Sequence, residues 1–251
     1  MAKQNGPFQL TGTLGDVTFY FRKGEYLAKQ KGGGFNTNAI KNHPNYVRVR
    51  ENASEFGGCT KAAKFFRHSF GHYLGRPFAT DLCPRTVKLM TDIMKCDVVS
   101  VRGARKPHLG IVPAEGKKLL EGFEMNPASP MDRLLKAHYV LDSATGRLHF
   151  DTLNTADIIF PKGATTAGLM LQAISFDFKS ESAYEVSPVS FVENNASTGS
   201  LTLTVNLPAM VHEPEDASIL FFVLHLRFYQ EVNGAFFVFN DEKAAGMKVV
   251  C

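Results

Sequence analysis

The 251-residue sequence predicts an α+β protein that is mainly β: an N-terminal β-hairpin and two helices, followed by an antiparallel β-sandwich. Three observations carry this reading. Val17, Phe19 and Phe21 alternate with Thr18, Tyr20 and Arg22, the period-two signature of a half-buried strand. Apolar residues then recur at steps of three and four between Val49 and Cys96, as helices require. From Ala137 onward the pattern becomes one of strands separated by turns.

The hairpin is read first. Arg22-Lys23-Gly24-Glu25 forms its turn and Tyr26 to Lys31 return. Gly32-Gly33-Gly34 follow, and three glycines free of Cβ sterics suit a hinge. They do not make a phosphate loop, because the lysines precede the glycines and no Lys-Ser/Thr follows them. Val17, Phe19 and Phe21 share one face and are expected in the core. That leaves Tyr20, Arg22, Lys23, Tyr26, Lys29 and Lys31, with the glycine hinge, as an arm that reaches a neighbouring subunit.

The first helix follows. Val49, Ala53, Phe56, Ala63, Phe66, Phe70 and Tyr73 form one stripe, which Gly57-Gly58 interrupts and Gly75-Arg76-Pro77 ends. A second helix opens near Pro84, a residue favoured in a first turn, and lines one side with Val87, Met90 and Met94. Leu89, Ile93 and Cys96 adjoin that side. Both stripes read as core. Residues 98 to 135 read as loops with short elements, including the basic segment Arg102-Gly103-Ala104-Arg105-Lys106-Pro107.

In the last part, strands at 138–141 and 148–150 flank a turn at 142–146. Further strands are expected at 169–178, 189–192, 201–207, 219–231, 235–239 and 247–250, with Asn233-Gly234 as a hairpin turn. "FPKGATTAGLMLQAISFDF" (160–178) and "EPEDASILFFVLHLRFYQE" (213–231) match approximately at a shift of 53 residues, Leu171 falling on Leu224. Two such long strands suit the facing sheets of a sandwich. The organisation expected is therefore a basic hairpin-plus-helices region at 1–110, a connecting segment at 111–136, and a sandwich domain with an approximate internal repeat at 137–251.

Composition bounds the function. At 44% hydrophobic and 21% charged residues the chain is a folded one. No run approaches the ~20 apolar residues of a membrane-spanning helix, and the opening Met-Ala-Lys-Gln-Asn-Gly-Pro-Phe lacks the apolar stretch of a secretory signal. Cys59, Cys83, Cys96 and Cys251 form no C-x-x-C pair, so reduced thiols in a protein made in the cytoplasm are expected. His68 and His72 are four apart but lack the glutamate of H-E-x-x-H. No nucleophile elbow, dinucleotide turn or EF-hand spacing is present. No enzyme activity, cofactor or metal is expected.

The net charge of +4 hides a polarity. Residues 1–110 carry 18 Lys and Arg against 7 Asp and Glu, whereas residues 111–251 carry 10 against 17. Subunits meeting basic end to acidic end would use this, and so would nucleic acid. Arg48, Arg50, Lys61, Lys64 and Arg67 extend the basic surface along the first helix, beside the aromatic and cationic hairpin. A nucleic-acid-binding protein using this half is thus the alternative expectation. A glycan-binding β-sandwich is a weaker one, since the chain has no Trp for a sugar platform.

Three blocks, "LTGTLGDVTFYFRKGEYLAKQKGGG", "RVRENASEFGGCTKAAKFFR" and "RFYQEVNGAFFVFNDEKAAGMKVV", resemble an uncharacterised family of Bacteroidota proteins that carry domain-of-unknown-function labels. The resemblance runs in order through most of the chain. It implies a bacterial or phage source and supplies no catalytic residues. What it implies, with the hairpin arm, is a non-enzymatic, self-assembling structural protein: a homo-oligomer such as a phage-like virion, tube or shell component.

Overall fold

The computed structural model describes residues 2–31, 37–73, 81–178, 183–195, 199–208, 218–239, 241 and 243–250. The chain divides into two compact units, 1–50 and 51–251.

In the first unit β1 (Ala2–Lys3), β2 (Gly12–Leu14), β3 (Val17–Arg22) and β4 (Glu25–Gln30) form an antiparallel sheet in the order β1-β4-β3-β2. Helix α1 (Thr37–Asn42) follows. The β3–β4 turn is two residues long, with Lys23 at φ 52° and Gly24 at φ 81°. These left-handed angles match the twist of the flanking strands, and glycine adopts them without steric cost. The register sets Phe19 opposite Ala28 and Phe21 opposite Tyr26, with Leu14 opposite Val17. Leu14, Val17, Phe19, Phe21, Tyr26 and Ala28 therefore share one face.

The expectation that Val17, Phe19 and Phe21 are core is not met. Among the described residues of 1–50 none is buried, and Phe21 is 56% exposed. The physical reason lies in the unit itself. β1 and β2 are two and three residues long, α1 buries nothing, and a single sheet has no second layer against which to bury its apolar face.

The second unit takes in most of α2 (Val47–His68), then α3 (Leu82–Lys95), α4 (Pro107–Gly110), α5 (Ala114–Leu120) and α6 (Met131–Leu134). Its strands are β5 (Val140–Asp142), β6 (Arg147–Leu153), β7 (Thr166–Phe176), β8 (Ala183–Val186), β9 (Ser190–Glu193), β10 (Gly199–Thr204), β11 (Ile219–Val232), β12 (Ala235–Val238) and β13 (Ala245–Val249). A boundary near residue 110 does not appear, because α2 and α3 share an apolar cluster with β7, β11 and β13.

The strands form antiparallel sheets of six and three, the smaller in the order β10-β6-β5. The two long strands do not lie in facing sheets. β7 and β11 are hydrogen-bonded neighbours, paired from Thr166 opposite Tyr229 to Phe176 opposite Ile219. Every residue of β7 is buried, because both faces of the pair are covered. Leu169, Leu171 and Leu224 meet Leu148, Phe150 and Leu203 of the smaller sheet in one cluster. Ile174, Phe176 and Phe221 meet Phe66 and Phe70 of the α2 region and Met90 of α3 in the other. Cover on both sides explains why these strands read as largely apolar stretches rather than alternating ones.

The six strands repeat one topology. β7 is followed by β8, which pairs with its C-terminal half, and then by β9, which pairs with its N-terminal half. β11 is followed in the same way by β12 on its C-terminal half and β13 nearer its N-terminus. Leu171 stands opposite Leu224, so an approximate two-fold axis passes between two residues 53 apart. Pro214 and Ala217, which complete the second sequence match, lie outside the described residues.

Helix α2 corrects two details of the sequence reading. It runs unbroken through Gly57 and Gly58, and a Cβ added at either would meet nothing within 4 Å. Its buried residues are Glu55, Cys59, Ala62, Ala63 and Phe66, whereas Val49, Ala53 and Phe56 are exposed. The apolar stripe thus reaches the core only in its C-terminal half. The residues expected to end it, Gly75 to Pro77, lie outside the described ones. Helix α3 buries Leu82, Leu89, Met90, Ile93 and Met94, with Pro84 in its first turn. At Asn233 (φ 52°) and Gly234 (φ 79°) the β11–β12 hairpin turns tightly. Among the described residues no helix is long and apolar enough to cross a membrane.

Candidate interaction surfaces

The hairpin residues singled out above separate onto two faces. Tyr20, Arg22 and Lys29 lie with Thr18 and Leu27 on the polar face of β3 and β4, and the Lys29 ammonium sits 5.7 Å from the centre of the Tyr20 ring. Tyr26 lies on the other face, its ring 4.8 Å from that of Phe21. Lys23 occupies the turn and Lys31 follows β4. Gly32, Gly33 and Gly34 are outside the described residues. The Gln4 side chain ties the β1–β2 connection down, accepting from the Leu10 N–H at 2.8 Å and donating to the Leu27 carbonyl at 3.2 Å. The sheet is thus well formed while its apolar face, including a 73% exposed Leu14, stays unburied.

The five cations proposed for the helix surface do not act alike. Arg50 donates to the carbonyls of Ile40 and His43, at 2.7 and 3.1 Å, and so braces the α1 region. Arg67 donates to Thr86 Oγ1 at 2.7 Å and ties α2 to α3. Arg48, Lys61 and Lys64 are exposed. Lys61 also lines a cleft of about 290 Å³ with Ser54, Gly58, Arg105, Lys106 and His108.

That cleft rests on two buried carboxylates. Glu55 accepts from Arg105 Nε and Nη2, at 2.8 and 2.9 Å, and from the Gly103 N–H at 2.7 Å. The Arg105 hydrogen bonds outweigh the cost of burial and pull the Glu55 carboxyl down to about 2. Asp97 accepts from the N–H groups of Val99, Ser100 and Lys106, which fixes the other end of the segment. The basic loop read from the sequence is therefore a clamped one, with Arg105 neutralised behind the surface.

A surface that the sequence reading passed over lies at the β11–β12 hairpin. Phe191 and Phe236 stack with ring centres 4.8 Å apart and planes 5° from parallel, and Tyr229 meets Phe191 edge-on at 5.4 Å. Phe191 is 48% and Phe236 45% exposed. Gly168, opposite Phe191, leaves the room for this packing; a Cβ there would stand 2.7 Å from the Tyr229 ring. Strand alternation puts Glu193 and Glu231 on the same face, each two residues beyond an aromatic. Phe237 and Val232 project exposed from the reverse face. Ala235 to Phe239 was legible as a strand, but the lack of cover on both its faces was not.

His68 is exposed. Among the described residues no three His, Cys, Asp or Glu side chains are grouped so as to hold a metal ion, and Cys59, Cys83 and Cys96 are free thiols. No protein-family model, curated protein or solved structure matches the chain.

Proposed function

We propose that this is a non-enzymatic structural protein that assembles with copies of itself, as a component of a virion-like tube or shell, and that the β1–β4 sheet is its inter-subunit arm. One observation carries the reading: a four-stranded sheet with a distinct apolar face and no buried residue. A small sheet without a packed face is marginal in water, and a partner surface supplies the missing burial. Tyr20, Arg22 and Lys29 then form the outward, polar face of the seated arm, with Lys23 in its turn. We read the six- and three-stranded sheets, which share an apolar cluster, as the two layers of a sandwich that forms the body.

Light scattering on the full-length chain and on a chain lacking residues 1–34 tests this. The truncated chain is expected to remain folded and to contain fewer copies per particle, and the full-length copy number is expected to fall as salt screens exposed charges beyond a ~10 Å Debye length at 0.1 M. Equal copy numbers for the two chains, or a full-length chain that is monomeric at every concentration, would sink the proposal.

A second reading draws on the cleft at Lys61, Lys106 and His108, whose lining among the described residues contains no carboxylate. It suits a phosphate-rich polymer such as nucleic acid. A gel shift at physiological salt that weakens steeply with added salt supports it, and no shift excludes it.

A further inference from the structure

We infer that the cleft between α2 and residues 103–108 is a phosphate site for one unpaired nucleotide of a single strand, held by Arg105, Lys106 and Lys61. This rests on the nucleic-acid reading above and names the group that enters the cleft.

Arg105 provides a directed donor. Its Nε and Nη2 are committed to Glu55, at 2.8 and 2.9 Å, whereas Nη1 has no partner among the described residues. The side chain is 27% exposed and lines the cleft. A guanidinium held along one edge by a buried carboxylate keeps its other edge in a fixed orientation, and that edge suits a phosphate oxygen. Such preorganisation lowers the ordering cost of binding.

Lys106 and Lys61 add charge. Asp97 Oδ2 accepts from the Lys106 N–H at 3.0 Å, which fixes the backbone from which this exposed side chain projects. Lys61 is exposed as well, its ammonium 5.8 Å from the centre of the Phe65 ring one turn along α2. A rotamer change of its flexible stem carries that ammonium over the cleft that the residue lines. The nearby carboxylates do not compete. Glu55 and Asp97 are buried, and each accepts three hydrogen bonds. Glu51, beside Gly103, is paired with Arg102 at 3.4 Å.

Shape and size select the occupant. The floor is apolar, made by the buried Ala62, Pro107 and Phe178. At about 290 Å³ the cleft stands near the lower end of small-ligand pockets, ~300–1,000 Å³. An unpaired base offers a flat apolar face to such a floor while its phosphate meets the cations. A duplex keeps its bases stacked inside and cannot enter a concavity of this size.

Gly58 leaves the cleft open. It lines the cleft, and the Cβ that it lacks would meet nothing within 4 Å. Its neighbour Gly57 has equal room but lies outside the lining. Occupancy of the cleft can therefore be tested without altering any charge.

The experiment uses the full-length chain with a fluorescein-labelled single-stranded oligothymidylate, and thymidine monophosphate as competitor. Gly58→Leu fills the cleft, Gly57→Leu is the control on the same helix, and Lys106→Gln removes one cation. By fluorescence anisotropy, Gly58→Leu is expected to bind the strand about tenfold more weakly than the parent, and Gly57→Leu within about twofold of it. Lys106→Gln is expected to reduce the slope of log affinity against log salt by about 0.7, the value for one phosphate contact on a single strand. Displacement of the strand by thymidine monophosphate would show that a lone nucleotide suffices. No displacement, with the Gly58→Leu loss intact, would assign the site to a phosphodiester within a strand; both outcomes support the inference. If the strand binds the parent and Gly58→Leu alike, the nucleic-acid reading stands but the cleft is not its site, and the inference is overturned. Equal losses in Gly57→Leu and Gly58→Leu would trace the effect to the helix and overturn it too. If neither probe binds the parent, reading and inference fall together. Should Gly58→Leu lose its thermal unfolding transition, Gly58→Ala against Gly57→Ala serves the same comparison.

Discussion

Gln172 and His225, one on each central strand and 53 residues apart, share a 2.9 Å hydrogen bond in the buried interior. Gln172 Nε2 donates to the Ser69 carbonyl at 3.4 Å, so its Oε1 is the acceptor facing the imidazole. His225 therefore carries its proton on Nε2 and is neutral, with Nδ1 unpartnered among the described residues. Burial, reinforced by Arg227, pulls its pKa down to about 3. The unfolded chain takes up a proton here as pH falls below about 6.5 and the folded chain does not until about 3, so stability falls with acidification across that window. His225→Phe is expected to lower stability at pH 7 by about 1–3 kcal/mol, because Gln172 loses its donor. In urea melts the gap between parent and variant should narrow from pH 7 to pH 4. A constant gap would mean that His225 is not the group that titrates.

Gly57 and Gly58 stand in the middle of a 22-residue helix with nothing near the Cβ that each lacks. Glycine in a helix interior costs roughly 0.5–1 kcal/mol relative to alanine, chiefly through unfolded-state entropy. Gly57→Ala and Gly58→Ala should each raise the unfolding free energy from urea melts by about that amount. A lower midpoint for either would show that the bare backbone is packed against after all.

The Glu55–Arg105 pair holds the loop at 103–107. Its contribution is complete above the ordinary carboxyl value of 4.5 and is lost as pH falls toward about 2. Glu55→Gln keeps one acceptor oxygen but removes the charge and sets an amide N–H against the partly buried Arg105 guanidinium, and is expected to cost about 3 kcal/mol at pH 7. The loss should shrink in melts near pH 3. Equal losses at both pH values would assign the cost to packing rather than to the charge.

Glu124 behaves oppositely. Burial, reinforced by the Asp132 carboxylate, raises its carboxyl to about 7, despite the Met131 N–H that it accepts at 3.0 Å and the nearby cations Lys248 and Arg85. Oε2 has no partner among the described residues. The folded state holds a proton here that the unfolded state releases near 4.5, so stability falls as pH rises from about 4.5 to 7. Glu124→Gln, which copies the neutral acid, should flatten thermal melts between pH 5 and pH 8. A variant as pH-dependent as the parent would move the titration to another group.

The sequence by itself determined what depends on neighbours along the chain. The Lys23-Gly24 and Asn233-Gly234 turns were legible because few residues tolerate left-handed angles, and φ values of 52° to 81° stand at those positions. The α3 stripe was legible because a 3.6-residue period shows in the order of Leu89, Met90, Ile93 and Met94. The shift of 53 pointed to Leu171 and Leu224, which turned out to be paired. Only the tertiary structure decided what lies across from each element. Alternation in Val17, Phe19 and Phe21 states that a face is apolar, not that anything covers it, and among the described residues of its own unit nothing buries it. A mostly apolar run at 166–176, without alternation, states that both faces are covered, not by what; helices lie on one side and a three-stranded sheet on the other. Phe191 and Phe236 became a surface only when strand pairing brought residues 45 positions apart into a stack. Burial is a property of two surfaces, and a sequence pattern describes one at a time.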